Sequence, residues 1–193
     1  MTNERAGSRL PPGQYETAKW PVLHYGSIPK IDLVTWEFVV AGEVEEPRRW
    51  TWAEFTSLPR TTVRCDIHCV TAWSRFDNTF EGVAASEVMR HAPIRMGAAF
   101  AMMESYGGYT TNVPVADLLA DDALFAFAHE GRPLTPEHGG PCRLVIPRLY
   151  FWKSAKWVRG MTLLRENRPG FWEQNGYHIR GDPWQEERYS DPW

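Results

Sequence analysis

Residues 61–67 constrain the fold of this chain more than any other segment, because their side chains alternate between two faces. Alternation of this kind is typical of a half-buried β-strand. One face would carry Thr61, Val63, Cys65 and Ile67, and the other would carry Thr62, Arg64, Asp66 and His68. Cys69 follows at once, so we expect it where the strand ends, with its thiol accessible to a ligand.

Short strand-like and helix-like runs make up the rest of the chain. Strand composition marks residues 33–40, 99–103, 123–128, 143–147 and 156–163. Helical patterns are short: Thr51 and Glu54 have the spacing of a capping box, and residues 84–90 and 117–119 suit brief helices. Many short strands with few short helices predict a β-rich α+β fold with mixed sheets.

The composition favours a single globular domain. The chain has 193 residues, of which 43% are hydrophobic and 23% charged. Residues 1–19 are polar and suggest a mobile or draped N-terminal arm. Residues 20–193 would form the domain, and their last part, residues 166–193, would wrap its surface. Ten tryptophans are compatible with either a large core or the walls of a flat cofactor site.

Charge and hydropathy limit the partners and the location. A formal net charge of -3 gives no support to nucleic-acid binding. No apolar run is long enough to span a membrane or to act as a secretory signal. Three cysteines are too few for a disulfide scaffold and favour a reducing compartment. We therefore expect a cytoplasmic protein.

Cys69 alone supports several interpretations. A thiolate is a soft ligand that suits a soft or high-valent metal, but a buried free cysteine is a common structural residue. A redox pair with Cys65 would need a sharp bend, since four strand positions span roughly 13 Å and a disulfide needs Cα atoms within about 7 Å. A zinc site that adds His68 and Cys142 matches no standard ligand spacing.

A second group of residues suggests an anion site. Arg143 follows the glycine pair at 139–140, and Lys153, Ser154 and Lys156 come within fourteen residues of it. Glycines let the backbone approach a ligand, an arginine can bind an anion through two hydrogen bonds, and lysines add charge. Each of these residues could equally belong to a solvated loop.

Four segments together resemble the molybdopterin-binding domain of the sulfite oxidase family. They are residues 66–74 (DIHCVTAWS), 106–112 (YGGYTTN), 138–143 (HGGPCR) and 151–156 (FWKSAK). The resemblance covers about residues 20–185. It is greatest to the small single-domain bacterial proteins that are similar to the catalytic subunit of protein-methionine-sulfoxide reductase.

The resemblance implies a sulfite-oxidase-type fold and a molybdenum–molybdopterin cofactor (Moco). It implies that Cys69 ligates molybdenum and is the catalytic residue. Further cofactor contacts are implied at His24, Tyr25, Thr110, Thr111, His138, Arg143, Ser154, Ala155 and Lys156. His138 stands where the reductase has an asparagine, and the N-terminal contact near His24 and Tyr25 departs most from the family pattern.

The implied activity is two-electron oxygen-atom transfer on a small molecule or a sulfoxide. Neither the haem domain nor the dimerisation domain of sulfite oxidases fits within this chain, so electrons would be exchanged with a separate electron-transfer protein. Two alternatives stay open. One is a non-catalytic molybdopterin-binding redox subunit, and the other is a cofactor-free β-rich module with structural cysteines.

Overall fold

The computed structural model describes residues 9–190, which form two mixed β-sheets with short helices. The strands are β1 (Tyr15–Glu16), β2 (Glu37–Gly42), β3 (Arg48–Thr51), β4 (Arg60–His68), β5 (Trp73–Ala84), β6 (Phe100–Ser105), β7 (Thr110–Pro114), β8 (Leu124–His129), β9 (Arg132–Pro133), β10 (Arg143–Val145) and β11 (Val158–Leu164). The α-helices are α1 (Trp52–Ser57), α2 (Ala85–Arg90), α3 (Val115–Leu118) and α4 (Phe171–Gln174), and a 3-10 helix covers Pro136–His138.

Each sheet combines parallel and antiparallel pairs. The first sheet has the order β1-β5-β8-β10, with β4 also paired to β5 and β9 to β8. The second has the order β3-β2-β11-β6-β7. Among the described residues, β1 with β5 and β2 with β11 are the parallel pairs. The predicted β-rich α+β fold with mixed sheets and short helices is confirmed.

Strand β8 shows how the first sheet separates two hydrophobic clusters. Phe125 belongs to the larger cluster, which also contains residues of the second sheet, whereas Leu124 and Ala126 belong to the smaller one. Successive side chains on a strand point to opposite faces, so this sheet is apolar on both sides. Cys69 belongs to the smaller cluster. The candidate site therefore lies on the face of the first sheet that is turned away from the second.

Local sequence signals explain most of the helix and strand ends. Helix α1 begins with the predicted capping box, in which Thr51 accepts from the amide of Glu54 and the Glu54 carboxylate accepts from the amide of Thr51. The strand predicted from residue 33 begins only at Glu37. Asp32 explains the difference, because its carboxylate accepts from the amide of Val34 and holds residues 32–35 in a turn.

Strand β4 ends at His68, so Cys69 lies at the predicted strand end. The alternation holds as far as Cys65, where β5 bulges opposite Asp66. His68 was expected on the polar face but is buried. Its Nδ1 lies 2.8 Å from the Ser74 hydroxyl, and the ring of Trp184 from the C-terminal segment covers it at 6.2 Å.

Both terminal segments contact the domain. Residues 15–16 of the predicted arm form β1, and the Arg9 guanidinium binds the Asp66 and Asp77 carboxylates of the first sheet. At the other end, Tyr177 and Tyr189 form an isolated antiparallel bridge. Within residues 9–190, no helix combines the length and apolarity that crossing a membrane requires.

Candidate functional site

A cavity of about 280 Å³ opens on the smaller hydrophobic cluster. It brings together residues that are more than one hundred positions apart in the sequence. Seven of the ten residues predicted for the cofactor site line it: His24, Tyr25, Cys69, Arg143, Ser154, Ala155 and Lys156. The family resemblance implied that these residues contact one cofactor, and the cavity brings these seven together.

Cys69 occupies the first position of a tight turn after β4. Its amide donates to the Trp73 carbonyl, its carbonyl accepts from the Ala72 amide, and Ala72 has φ +74°. The sulfur lies 3.1 Å from the Thr71 hydroxyl. Burial raises the pKa of the Cys69 thiol, and the hydrogen bond from Thr71 opposes that shift. The free protein therefore holds a neutral thiol, which a bound metal would convert to a thiolate.

Arg143 is 1% exposed, although no carboxylate pairs with it among the described residues. Two backbone carbonyls, those of His138 and Ser154, each accept from its guanidinium at 2.8 Å. The guanidinium also stacks on Phe151, 4.2 Å from the ring centroid. Burial lowers the pKa of Arg143 to about 9. A buried cation held by carbonyls and a ring alone is energetically costly unless an anion binds it.

Lys156 is the second cation on the cavity wall. Its Nζ donates to the carbonyls of Leu23 and Glu137, at 2.8 and 2.5 Å. Burial, followed by the nearby charge of Arg143, lowers the pKa of Lys156 to about 7. Gly139, with φ +100°, makes this arrangement possible, because a Cβ there would lie 3.0 Å from the Lys156 side chain and 3.1 Å from that of Arg143.

Ser154 and Ala155 accept hydrogen bonds from backbone amides at the end of β10. The Ser154 hydroxyl accepts from the Ile146 amide at 2.9 Å, and the Ala155 carbonyl accepts from the Leu144 amide at 2.8 Å. These bonds hold the loop before β11 against β10 and thereby position Lys156.

Thr110 and Thr111 do not line the cavity, in contrast to the prediction. The Thr111 hydroxyl donates to the Glu173 carboxylate at 2.9 Å and holds α4 against β7. Tyr109 of the same motif faces the cavity instead, and its hydroxyl donates to the Trp152 carbonyl.

His138 also lies outside this cavity. It borders a second cavity of about 410 Å³, and its ring stacks on Trp20 at 3.9 Å between centroids. Burial, together with the charges of Lys156 and Arg143, lowers the pKa of His138 to about 4. The imidazole is therefore neutral near pH 7, and His138 binds Arg143 through its backbone carbonyl, which accepts a hydrogen bond from the guanidinium.

Lys153 does not supply the charge that the sequence suggested. Its ammonium lies 2.7 Å from the Glu173 carboxylate, and it also donates to the carbonyls of Asn112 and Ile179. The side chain is fully buried away from the cavity. The lysine is therefore part of the core and not of an anion site.

Aromatic side chains form most of the remaining wall, and sequence reasoning did not select them. The members are Trp20, Trp73, Tyr109, Phe151, Trp152, Trp157, Trp172 and Tyr177. The high tryptophan count was the available signal, but it could not separate core residues from wall residues. Flat apolar walls around two unpaired cations suit a planar anionic molecule.

Cys69 is free and only 8% exposed, as a structural cysteine would be, but it lines the cavity. The redox-pair and zinc interpretations find no support in residues 9–190. All three cysteines are free, and burial raises the pKa of Cys65 to about 12. No group of three or more histidine, cysteine or acidic side chains is arranged to hold a metal ion. A metal at Cys69 would therefore take its other ligands from a cofactor. The site fits such a cofactor, because one cavity holds a sulfur donor and two cations that form no ion pair within the described part of the chain.

Comparison with known proteins agrees with this chemistry. Residues 25–172 match the model of the oxidoreductase molybdopterin-binding domain. An uncharacterized oxidoreductase of Bacillus subtilis, YuiH, is 48% identical over 183 residues, which cover 94% of this chain and 92% of that protein. A putative protein-methionine-sulfoxide reductase subunit of Azospira oryzae is 23% identical, over 82% of this chain and 61% of its own length.

The fold is similar to that of the sulfane dehydrogenase SoxCD from Paracoccus pantotrophus. The TM-score is 0.67 at 22% identity, over 74% of this chain and 41% of that one. The chain thus spans less than two thirds of both the Azospira and the Paracoccus protein. The protein belongs to the oxidoreductases with a molybdopterin-binding domain, in the sulfite oxidase family.

Proposed function

We propose that this oxidoreductase binds Moco in the 280 Å³ cavity and transfers an oxygen atom to or from a small molecule or a sulfoxide. One observation carries the proposal: the Cys69 thiol, Arg143 and Lys156 line the same cavity, and neither cation forms an ion pair with a carboxylate of residues 9–190. Cys69 would ligate molybdenum through its sulfur. Arg143 and Lys156 would bind the phosphate of the pterin.

Bound molybdopterin supplies two-electron oxygen-atom-transfer chemistry at molybdenum. The protein's own residues bind, orient and shield it. The Cys69 turn presents the sulfur beside the Thr71 hydroxyl, which can donate a hydrogen bond to a thiolate. The aromatic wall would shield the bound cofactor from water. Tyr177 belongs to this wall, and its phenol could donate a proton to a bound substrate.

Partners and location complete the proposal. The substrate would be small, because a cavity of about 280 Å³ would have to admit it together with the cofactor. Electrons would come from or go to a separate protein, as suggested by the distant likeness to a reductase subunit. The reaction would take place in the cytoplasm, as the composition favours.

The test measures molybdenum per protein after dialysis, together with turnover of S- and N-oxides by a reduced dye. Arg143→Ala and Lys156→Ala should lose most of the metal, because each removes a charge-assisted bond of about 1.5–3 kcal/mol. Arg148→Ala and Lys30→Ala serve as matched controls, since both residues lie outside the cavity. A parent protein that binds no molybdenum would refute the proposal, and molybdenum without turnover would favour the non-catalytic subunit.

A further inference from the structure

The turn that carries Cys69 is held by hydrogen bonds from both ends of the chain. Gln14 Nε2 donates to the Cys69 carbonyl at 3.0 Å, and Arg188 Nη1 donates to the Val70 carbonyl at 2.6 Å. The Tyr15 amide donates to the Ala72 carbonyl at 2.9 Å. Three of the four carbonyls of residues 69–72 are therefore bound by terminal segments.

The two terminal segments also bind each other. Arg188 Nη2 donates to the Pro12 carbonyl at 3.2 Å, so one guanidinium joins the N-terminal segment to the cysteine turn. They approach closely at Gly13, where a Cβ would lie 3.0 Å from Arg188 Nη2. The Arg188 side chain is only 14% exposed, and its guanidinium lies over the Tyr150 ring at 5.1 Å. This burial restricts the rotamers available to the side chain.

Gln14 is itself oriented by a polar chain from the first sheet. Its Oε1 accepts from the Ser74 hydroxyl at 3.3 Å, and that hydroxyl lies 2.8 Å from His68 Nδ1. These bonds orient the side-chain amide of Gln14 so that its Nε2 points toward the Cys69 carbonyl. Gln14 and Arg188 both lie outside residues 25–172, which match the family model.

We infer that Gln14 and Arg188 are positioning residues that fix the Cys69 sulfur for metal ligation. This role in metal ligation rests on the proposed function, whereas the hydrogen bonds to the turn are observed independently of it. The backbone hydrogen bonds of the turn itself involve the Cys69 amide, the Ala72 amide and the Cys69 carbonyl, and the Val70 carbonyl is bound by Arg188. Bonds to the carbonyls of Cys69 and Val70 restrict the rotation of the peptide unit next to the sulfur. Supports of this kind orient metal ligands in other proteins.

The experiment uses the full chain, both metal-loaded and after removal of the cofactor. It follows alkylation of Cys69 by mass spectrometry of tryptic peptides, since cleavage after Arg64 and Arg75 isolates the segment with Cys65 and Cys69. Fragmentation of that peptide then separates the two cysteines. The variants are Gln14→Met, which keeps the length of the side chain without its donor, and Arg188→Met.

In the cofactor-free form, Cys69 of each variant should be alkylated about five- to tenfold faster than in the parent protein, the change expected for loss of one hydrogen bond. The metal-loaded variants should also show a shifted molybdenum electron paramagnetic resonance signal, which a merely structural role would leave unchanged. Gln174→Met and Arg95→Met are matched controls, because each loses one bond to a carbonyl on the exposed surface. They should match the parent protein.

Unchanged alkylation in both variants, or equal acceleration in the controls, would overturn the inference. An unshifted resonance signal despite faster alkylation would also overturn it, because the bonds would then hold the turn without positioning the metal ligand. If the parent chain binds no molybdenum, the proposed function fails while the alkylation of the cofactor-free chain still reports on the turn. The two failures are therefore distinguishable. A thermal melt of each variant identifies any loss of folding.

Discussion

Lys153 and Glu173 form a buried ion pair, with 2.7 Å between Nζ and the carboxylate oxygen and side chains that are 0% and 1% exposed. Lys156 lies three positions along the chain, yet it lines the cavity without an ion pair among the described residues. Two lysines of one short segment thus have opposite roles. Lys153 holds α4 to the domain, and Lys156 is available to an anion.

Lys153→Met should therefore reduce stability and leave cofactor binding by the folded protein intact. Removing one partner leaves the buried Glu173 charge without its cation, which costs about 3–5 kcal/mol. Urea unfolding monitored by tryptophan fluorescence measures the loss. The double variant Lys153→Met/Glu173→Gln should recover part of it, and a single variant as stable as the parent would show that the pair is dispensable.

Cys69→Ser should abolish or strongly reduce molybdenum-dependent activity, because a hydroxyl is a harder ligand than a thiolate. The substitutions Cys65→Ser and Cys142→Ser should reduce this activity much less than Cys69→Ser does, since neither residue lines the cavity. Activity is measured per molybdenum bound, and a thermal melt identifies any folding defect at the buried Cys142. Equal activity of Cys69→Ser and the parent would exclude Cys69 as the metal ligand.

Thr71→Val should change the redox potential of the metal centre with little effect on metal content. The Thr71 hydroxyl lies 3.1 Å from the Cys69 sulfur, and a donor at that position withdraws charge from a thiolate. Its loss should lower the midpoint potential by an amount on the order of tens of millivolts. Redox titration of the metal-loaded protein gives this value, and Thr71→Ser should restore the parent potential.

Sulfate should bind the cofactor-free chain more tightly as the pH falls through about 7, the lowered pKa of Lys156. The folded chain holds a neutral amine above this pKa and an ammonium below it, so the attraction for an anion appears at low pH. Equilibrium dialysis of sulfate measures the change. Lys156→Met should lose the pH dependence, and a His24→Gln variant, which keeps Lys156, separates the contribution of the cavity histidine.

The lowered pKa of Lys156 also makes the stability of the cofactor-free protein depend on pH. The folded pKa of Lys156 is depressed relative to an unfolded lysine, so protonation favours the unfolded chain. Lys156 therefore lowers the free energy of unfolding of the cofactor-free protein most fully below about pH 7. This destabilisation decreases as the pH rises from there toward the pKa of an unfolded lysine. Bound anion should reverse the effect, because it stabilises the ammonium.

Local chemistry in the sequence determined the elements and the reactive residues. The capping box of Thr51 and Glu54, the alternation that ends at Cys69, and the glycines before Arg143 were each readable without a structure. These features depend on neighbours within a few positions, and their geometry follows from backbone periodicity. That Cys69 and the cationic loop serve one cofactor was implied by the family resemblance and not by these local features.

Only the tertiary structure decided which similar residues face the cavity. Lys153 differs from Lys156 because Glu173, on a distant helix, neutralises it. Thr111 likewise binds Glu173, and Tyr109 takes the place expected for a threonine. The bonds of Gln14 and Arg188 to the Cys69 turn join residues 55 and 118 positions apart. Burial and charge pairing depend on such distant contacts, which no local pattern in the sequence encodes.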